Sequence, residues 1–358
     1  MDEAKSARSR GPHAQYSDRL LGHAAMKAIV RACAVSSVLL CCAVPAHAEW
    51  VRRVTDGIMG TRITVELWAE DAAKAEQAID AVLDEMRHID ESMSTYKPSS
   101  EVSQVNAKAA DGPMHIGREL FDLLTTAKEY SVITDGAFDI TYASVGYLYD
   151  FRKHVRPDDA QIAKALPAVN YQHVILDPKN QTVQFSQKGV RIDLGGIAKG
   201  YSVDRGIDVL KSLGYTRAYV GAGGDSRIIG DRFGKPWVVG IRDPSKGEGN
   251  VIARIPLVDA AISTSGDYER YFEEKGVRYH HIIDPHTGHS ASKVRSATVI
   301  GPYATRTDGL SKTAFVLGPE KAMEIYNRLD DIDAIIVKLD GTVVYSKGMQ
   351  RAQAKPAQ

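Results

Sequence analysis

The chain is short of cysteine, and what it has sits in one place. Of 358 residues only three are cysteine, Cys33, Cys41 and Cys42. A chain processed beyond them has no thiol and no disulfide, which excludes cysteine nucleophiles and cysteine metal sites. It also lacks a charge excess. Lys+Arg 45 balances Asp+Glu 45, so nothing marks nucleic acid or an anionic membrane surface as a partner. No apolar run is long enough to span a bilayer comfortably: Ala32–Val44 is the longest near the N-terminus and falls short. Internal repeats and low-complexity runs are missing too.

What is present begins with a processing segment. Residues 1–25 are polar, and Met26 serves as an alternative start. Lys27 and Arg31 then supply a positive region ahead of Ala32–Val44, and Ala46-His47-Ala48 offers a small-x-small cleavage site. Leu40 before Cys41 disfavours lipid addition. The expectation is cleavage after Ala48 and a soluble protein exported to the periplasm. Residues 1–48 thus read as a polar extension with a signal peptide, 49–346 as one catalytic unit and 347–358 as a disordered tail.

The mature part mixes two periodicities. Ile63, Val65 and Leu67 alternate as a strand. Asp71 caps a helix with the stripe Ile79, Val82, Leu83, Met86 and Ile89, which stops before Pro98. Arg118–Val132, Asp158–Leu166 and Thr305–Leu317 also read as helices, and Asp267–Glu274 as a short helix or turn. Val174–Leu176 and Thr182–Phe185 form a hairpin; Ala334–Lys338 and Thr342–Tyr345 form another. Strands are further expected at Ala218–Val220, Arg227–Ile229, Trp237–Ile241, Val251–Leu257, Ala260–Ser263, Val277–Ile283 and Ala297–Ile300. The fold class is α+β, with mixed or antiparallel sheets and packed helices.

The chain is organised around Val190–Asp204. Alternating Val190, Ile192 and Leu194 suggest a strand, Gly195–Gly196 a turn, and Ile197, Tyr201, Val203, Ile207 and Leu210 a helix. A helix start next to glycines offers free amides and a positive dipole end to an anion. The spacing is neither a dinucleotide fingerprint nor a P-loop, and a tight turn without ligand remains an alternative.

Three more polar clusters accompany it: Met93–Asn106 (MSTYKPSSEVSQVN), His280–Gly288 (HHIIDPHTG) and Thr305–Gly318 (TRTDGLSKTAFVLG). In this order, from Met59-Gly60-Thr61 to about Gly318, the chain closely resembles the ApbE family of FAD:protein FMN transferases. The resemblance implies cleavage of the FAD pyrophosphate and attachment of FMN to Ser or Thr of an acceptor flavoprotein in the periplasm or a membrane electron-transfer chain. It implies a catalytic histidine at His281. It also implies Mg²⁺ held by Asp308 and a main-chain carbonyl near the central glycines, taken here as that of Ala198.

The residues suit such chemistry. An imidazole titrating near neutrality takes a proton from an acceptor hydroxyl, and His280 is expected on the opposite strand face. Gly195, Gly196 and Lys199 neutralise phosphate charge, although Lys199 reads equally as a solvated helix lysine. Asp308 reads as a ligand for a hard cation or as a helix cap. Tyr96 offers a flat face to an isoalloxazine ring or packs in a core. Ser94, Glu101 and Asn106 supply polar edges, Thr287 and Gly288 shape a loop beside the flavin, and Asp284 initiates its turn. Met59, Thr61, Asp139, Gly223, Gly224, Asp225 and Ser265 are further pocket candidates. One departure stands out. Many family members have a threonine four residues after the aspartate that also reaches the metal; here Lys312 holds that slot. It either pairs with Asp308 or touches phosphate itself.

Overall fold

The computed structural model describes residues 48–246 and 249–354. The expected signal peptide up to His47, with all three cysteines, lies outside the described residues, as does the end of the chain after residue 354. Strand β1 (Glu49–Ile58) turns at Met59–Gly60 into β2 (Thr61–Ala69); both turn residues take positive φ, 53° and 65°, as a tight hairpin requires. Helix α1 (Ala72–Met93) starts at Asp71, whose carboxylate accepts from the Ala73 and Lys74 amides. Next come α2 (Glu101–Lys108), β3 (Met114–His115), α3 (Arg118–Ile133), α4 (Asp159–Ala165) and the hairpin β4 (Val174–Asp177) with β5 (Thr182–Phe185). Helix α5 (Ala198–Ser212) leads to β6 (Ala218–Ala222), β7 (Asp225–Ile229), the hairpin β8 (Trp237–Arg242) with β9 (Val251–Leu257), and β10 (Ala261–Gly266). The last part holds the hairpin β11 (Tyr271–Glu274) with β12 (Val277–His280), β13 (Val294–Gly301), α6 (Ala304–Leu310), α7 (Thr313–Leu317), α8 (Pro319–Tyr326), β14 (Asp333–Lys338), β15 (Val343–Tyr345) and α9 (Lys347–Ala354).

The central sheet has the order β1-β2-β6-β7-β10-β13-β14-β15, with every neighbouring pair antiparallel. Its alternation is the one the sequence shows: Ile63, Val65 and Leu67 are at most 1% exposed. They pack under α1 and α5 with Ile79, Val82, Met86, Val203 and Ile207. Each such side chain contributes roughly 1.5–3 kcal/mol on burial. The other face is covered by β8 and β9, where Trp237, Ile241 and Leu257 meet Ile228, Ile262, Ile300 and Ile335. Helices α6 to α8 close on β13 and β14 around Phe315 and Tyr326. A second lobe, α2 and α3 over the small sheet β3-β5-β4, encloses Leu120, Leu124, Phe185 and Ile192.

Several expectations are corrected. The edge strand β1 escaped notice because Arg52 and Arg53 interrupt its apolar positions; they pair with Glu66, and with Glu76 and Asp80, as edge strands commonly carry charge. Asp267–Glu274 is no helix: its second half is strand β11, zipped to β12. The expected helix Thr305–Leu317 is interrupted at Ser311–Lys312. There the Asp308 carbonyl accepts from the Ser311 hydroxyl and the Lys312 ammonium, both at 2.8 Å. The supposedly disordered tail is helical from Lys347 to Ala354. The Lys347 amide donates to Asn327 Oδ1 at 2.8 Å, and Met349 packs against the β8–β9 side, anchors that polar composition hides.

Candidate active site

The central stretch has the burial of a strand and no strand partner. Val190, Ile192 and Leu194 point inward, yet 190–194 is irregular. Side chains replace the ladder. Asn106 on α2 accepts from the Ile192 amide at 2.7 Å and donates to its carbonyl at 2.9 Å. Ser144 Oγ accepts from Arg191 at 2.9 Å, and the Ile140 carbonyl accepts from Asp193 at 3.0 Å. Every buried backbone group needs a partner, and a polar side chain supplies one where no strand lies alongside. Asp193 then folds the turn. It accepts from the Gly195 amide at 2.7 Å, Tyr142 Oη at 3.1 Å and Thr95 Oγ1 at 2.8 Å.

The expected open cradle of amides is therefore largely filled from within. The Ile197 and Ala198 amides donate to the Leu194 carbonyl at 2.9 and 2.7 Å. The Gly200 amide, one of the unpaired donors of a helix's first turn, donates to Asp308 Oδ2 at 3.0 Å. Asp308 thus caps α5 from another helix. The crossing is close enough that a Cβ on Gly200 would stand 2.2 Å from the Ala304 carbonyl oxygen and 2.7 Å from Asp308 Cβ; only glycine fits.

Four charges alternate at this crossing. Lys199 Nζ lies 2.5 Å from Asp225 Oδ2 and 3.5 Å from Asp308 Oδ2. Lys312 Nζ pairs with Asp308 Oδ1 and also donates to the Gly196 carbonyl at 3.1 Å. The side chain of Asp308 is wholly buried and that of Asp225 is 3% exposed. Burial alone would raise the Asp308 pKa, but the Lys199 and Lys312 ammoniums hold it below the usual carboxylate range. Asp225 goes the other way, raised by burial and by the Asp308 charge. Burial would lower Lys199, yet Asp225 and Asp308 outweigh it and raise it.

His281 stands beside this quartet, one residue past the end of β12 and not inside it. The expected titration near neutrality is corrected: burial first, then the charges of His280, Arg270, Lys199 and Lys312, pull its pKa down to about 3, so the imidazole is neutral at physiological pH. Its Nδ1 is buried and bonds to no group among the described residues. His280 differs. It is buried, its ring lies 5.8 Å from that of Phe315, and its Nδ1 accepts from the Ile282 amide at 3.3 Å. The following turn is held by Asp284, which accepts from the His286 amide at 2.9 Å. Thr287 Oγ1 accepts from His289 at 3.3 Å, and the Gly288 carbonyl accepts from Tyr149 at 2.9 Å.

The remaining candidates divide into two groups. Thr61, Gly223, Gly224, Asp225 and Ser265 gather at one end of the central sheet, with Met59 in the adjoining hairpin turn. Gly223–Gly224 is the turn from β6 to β7, and its backbone runs against Thr61 Oγ1 and the Thr264 carbonyl. Ser265 pairs with Ser311 at 2.8 Å. The second group holds backbone together in the other lobe. Glu101 accepts from Gly117 at the start of α3, and Asp139 accepts from the Thr141 and Tyr171 amides. Ser94 Oγ accepts from Tyr96, whose ring is 87% exposed. Ala198 is buried, and the carbonyl meeting Lys312 is that of Gly196, two residues earlier. Thr95, Tyr142 and Arg270 went unread as participants; none carries a spacing signal, since each reaches the site through tertiary contact alone.

A divalent cation fits these residues poorly. Among the described residues no three His, Cys, Asp or Glu side chains converge to hold a metal. Both Asp308 oxygens already accept from donors, and Lys312 occupies the oxygens a hard ion would need.

The chain is similar to proteins of known kind over most of its length. The ApbE family matches residues 59–336. An FAD:protein FMN transferase of Klebsiella pneumoniae is 31% identical over 302 residues, covering 84% of this chain and 92% of the relative. One from Haemophilus influenzae is 34% identical over 281 residues, covering 76% and 80%. Among solved structures, the ApbE protein of Thermotoga maritima superposes with a TM-score of 0.78 at 34% identity, covering 86% of this chain and all of that one. The flavin transferase ApbE of Vibrio cholerae gives 0.74 at 29%, covering 85% and 99%. With sequence and architecture agreeing over most of both partners' lengths, the chain belongs to the ApbE family.

Proposed function

We propose that this chain is an exported FAD:protein FMN transferase. The Ser or Thr hydroxyl oxygen of an acceptor flavoprotein bonds to the phosphorus of the FMN half of FAD. The P–O bond to the AMP half breaks, and AMP leaves with the bridging oxygen. The hydroxyl proton passes to the His281 imidazole and on to the leaving phosphate or solvent. The single observation that carries this reading is the placement of His281: an imidazole whose Nδ1 has no partner among the described residues, set in the field of the Lys199 and Lys312 ammoniums. A base must be unprotonated to act, and a pyrophosphate needs cationic neighbours as charge shifts in an in-line displacement.

The Mg²⁺ expected from the family resemblance finds no suitable donor set here, and no step of this reaction is assigned to it. Export rests on the leader before Glu49, and intact mass of the secreted product tests it: a chain starting at Glu49 without lipid supports export as a soluble protein.

Incubating the purified protein with FAD and a periplasmic flavoprotein fragment bearing a target threonine tests the activity. FMN-labelled fragment plus AMP is the expected outcome. Free FMN plus AMP would make it a pyrophosphatase, and unchanged FAD a flavin carrier.

A further inference from the structure

We infer that the Lys312 ammonium is the resident cation of this site, standing where a divalent ion would stand and making pyrophosphate cleavage independent of one. The inference rests on the FMN-transfer reading.

Three oxygens of the kind a hard cation selects converge on one point: Asp308 Oδ1, the Asp308 carbonyl and the Gly196 carbonyl. Hard oxygen donors of this sort bind Mg²⁺. Here Lys312 Nζ takes all three, at 2.8 Å for the Asp308 carbonyl and 3.1 Å for that of Gly196. An ammonium has three N–H donors, so each finds an acceptor. The fit is prepared by the backbone. Residue 196 is a glycine, and a Cβ there would stand 3.2 Å from the Phe138 ring and 3.8 Å from Lys312 Cε. The lysine stem therefore threads through a gap that a larger residue narrows. With Lys199 engaging Asp225 and Asp308 on the other side, the quartet holds two positive and two negative groups and is neutral before any ion arrives. An added dication meets repulsion from two ammoniums at contact range, and both Asp308 oxygens already accept from donors.

The Lys312 side chain is 16% exposed, so the ammonium is not sealed off. It lies close enough to act electrostatically on His281, the base of the proposed transfer. A fixed charge of this kind stabilises phosphate oxygens without reorganisation.

Two measurements on the wild-type protein decide the matter without any variant. Calorimetric titration with MgCl₂, protein alone and with FAD, is expected to show no stoichiometric binding. FMN transfer is expected to change by less than about twofold between excess EDTA and millimolar Mg²⁺, against the loss of ~100-fold or more that removal of an electrostatic catalyst brings. Stoichiometric Mg²⁺ binding, or transfer stopped by EDTA and restored by Mg²⁺, would overturn the inference. Lys312→Thr sharpens the contrast: it should gain Mg²⁺ binding and become sensitive to EDTA. A Lys312→Thr protein that folds but gains neither response counts against the inference. If no FMN transfer occurs under any condition, the transferase reading fails. The calorimetry then still separates a site closed by Lys312 from one open to Mg²⁺.

Discussion

Asn106 holds Ile192 at both its backbone groups, accepting from the amide at 2.7 Å and donating to the carbonyl at 2.9 Å across 86 residues of sequence. It stands in for a neighbouring strand, and through Ile192 it fixes the entry to the Gly195–Gly196 turn. Asn106→Ala leaves two buried backbone groups without partners. At about 1–3 kcal/mol for each unsatisfied group, we expect a loss of roughly 2–6 kcal/mol in urea unfolding. Asn106→Asp keeps the acceptor and loses the donor, so it should fall between wild type and alanine. An unchanged unfolding midpoint for Asn106→Ala would remove the residue's structural role.

Gly200→Ala should be severe for its size. The added methyl meets the Ala304 carbonyl oxygen at 2.2 Å, a backbone atom that cannot rotate away, so α5 and α6 must part. Overpacking typically costs about 1–3 kcal/mol, and here it also separates Asp308 from the Gly200 amide. Lowered thermal stability together with weakened FAD binding is the expected pair of results. Gly249→Ala, at an exposed position with no atom of the described residues within 4 Å of the added Cβ, serves as the comparison, with the strain of its positive φ.

His281→Ala should lower kcat for FMN transfer by ~10²–10⁴-fold, as removal of a general base does, and leave FAD affinity nearly intact. His280→Ala should act differently, through stability, because that ring is buried against Phe315. Single-turnover transfer with a separate flavin-binding titration distinguishes the two. Near wild-type transfer by His281→Ala would end its assignment as the base.

Burial holds His280 near a pKa of about 4 and, with neighbouring charge, His281 near about 3. Both are neutral in the folded protein below pH 6.5, where the same side chains in the unfolded chain take up protons. The unfolded state thus binds more protons, and stability falls as pH falls from about 6.5 toward those depressed values. Urea unfolding between about pH 6.5 and 5, above most carboxylate titration, should show this slope. His280→Asn should reduce it, and a flat profile in wild type would contradict the neutral-buried assignment.

Asp308→Asn removes the charge that two ammoniums share while keeping the shape. Breaking a buried ion pair typically costs roughly 3–5 kcal/mol, and we expect a loss in that range by thermal unfolding. A stability equal to wild type would mean the quartet is held by packing alone.

Much of the fold was legible because burial writes itself as periodicity. The stripe of α1 and the alternation of β2 each place their apolar residues on one face. Three of the failures share one cause. The edge strand β1, helix α2 and the extended segment 190–194 are stabilised by ion pairs, caps and side-chain bonds, and none of these leaves a period in the sequence. At the site, Gly196, Lys199, Asp308 and Lys312 are legible from their clusters and Asp225 only as a further pocket candidate; in the structure they meet. Which carbonyl faces Lys312 could not be read. That depends on how the turn is drawn in by Asp193, whose partners Thr95 and Tyr142 lie 98 and 51 residues away.

The bond from Gly200 to Asp308 joins groups 108 residues apart, and this bears on when the protein becomes competent. Bringing such distant segments together is among the slower events of folding, since a long loop closes before the contact rewards it. The charge quartet is split along the sequence, with Lys199 and Asp225 on one side of the long connection and Asp308 and Lys312 on the other. A molecule that stops short of α6 has its Lys199 and Asp225 but lacks Asp308 and Lys312. The quartet is therefore complete only once α6 has docked against α5.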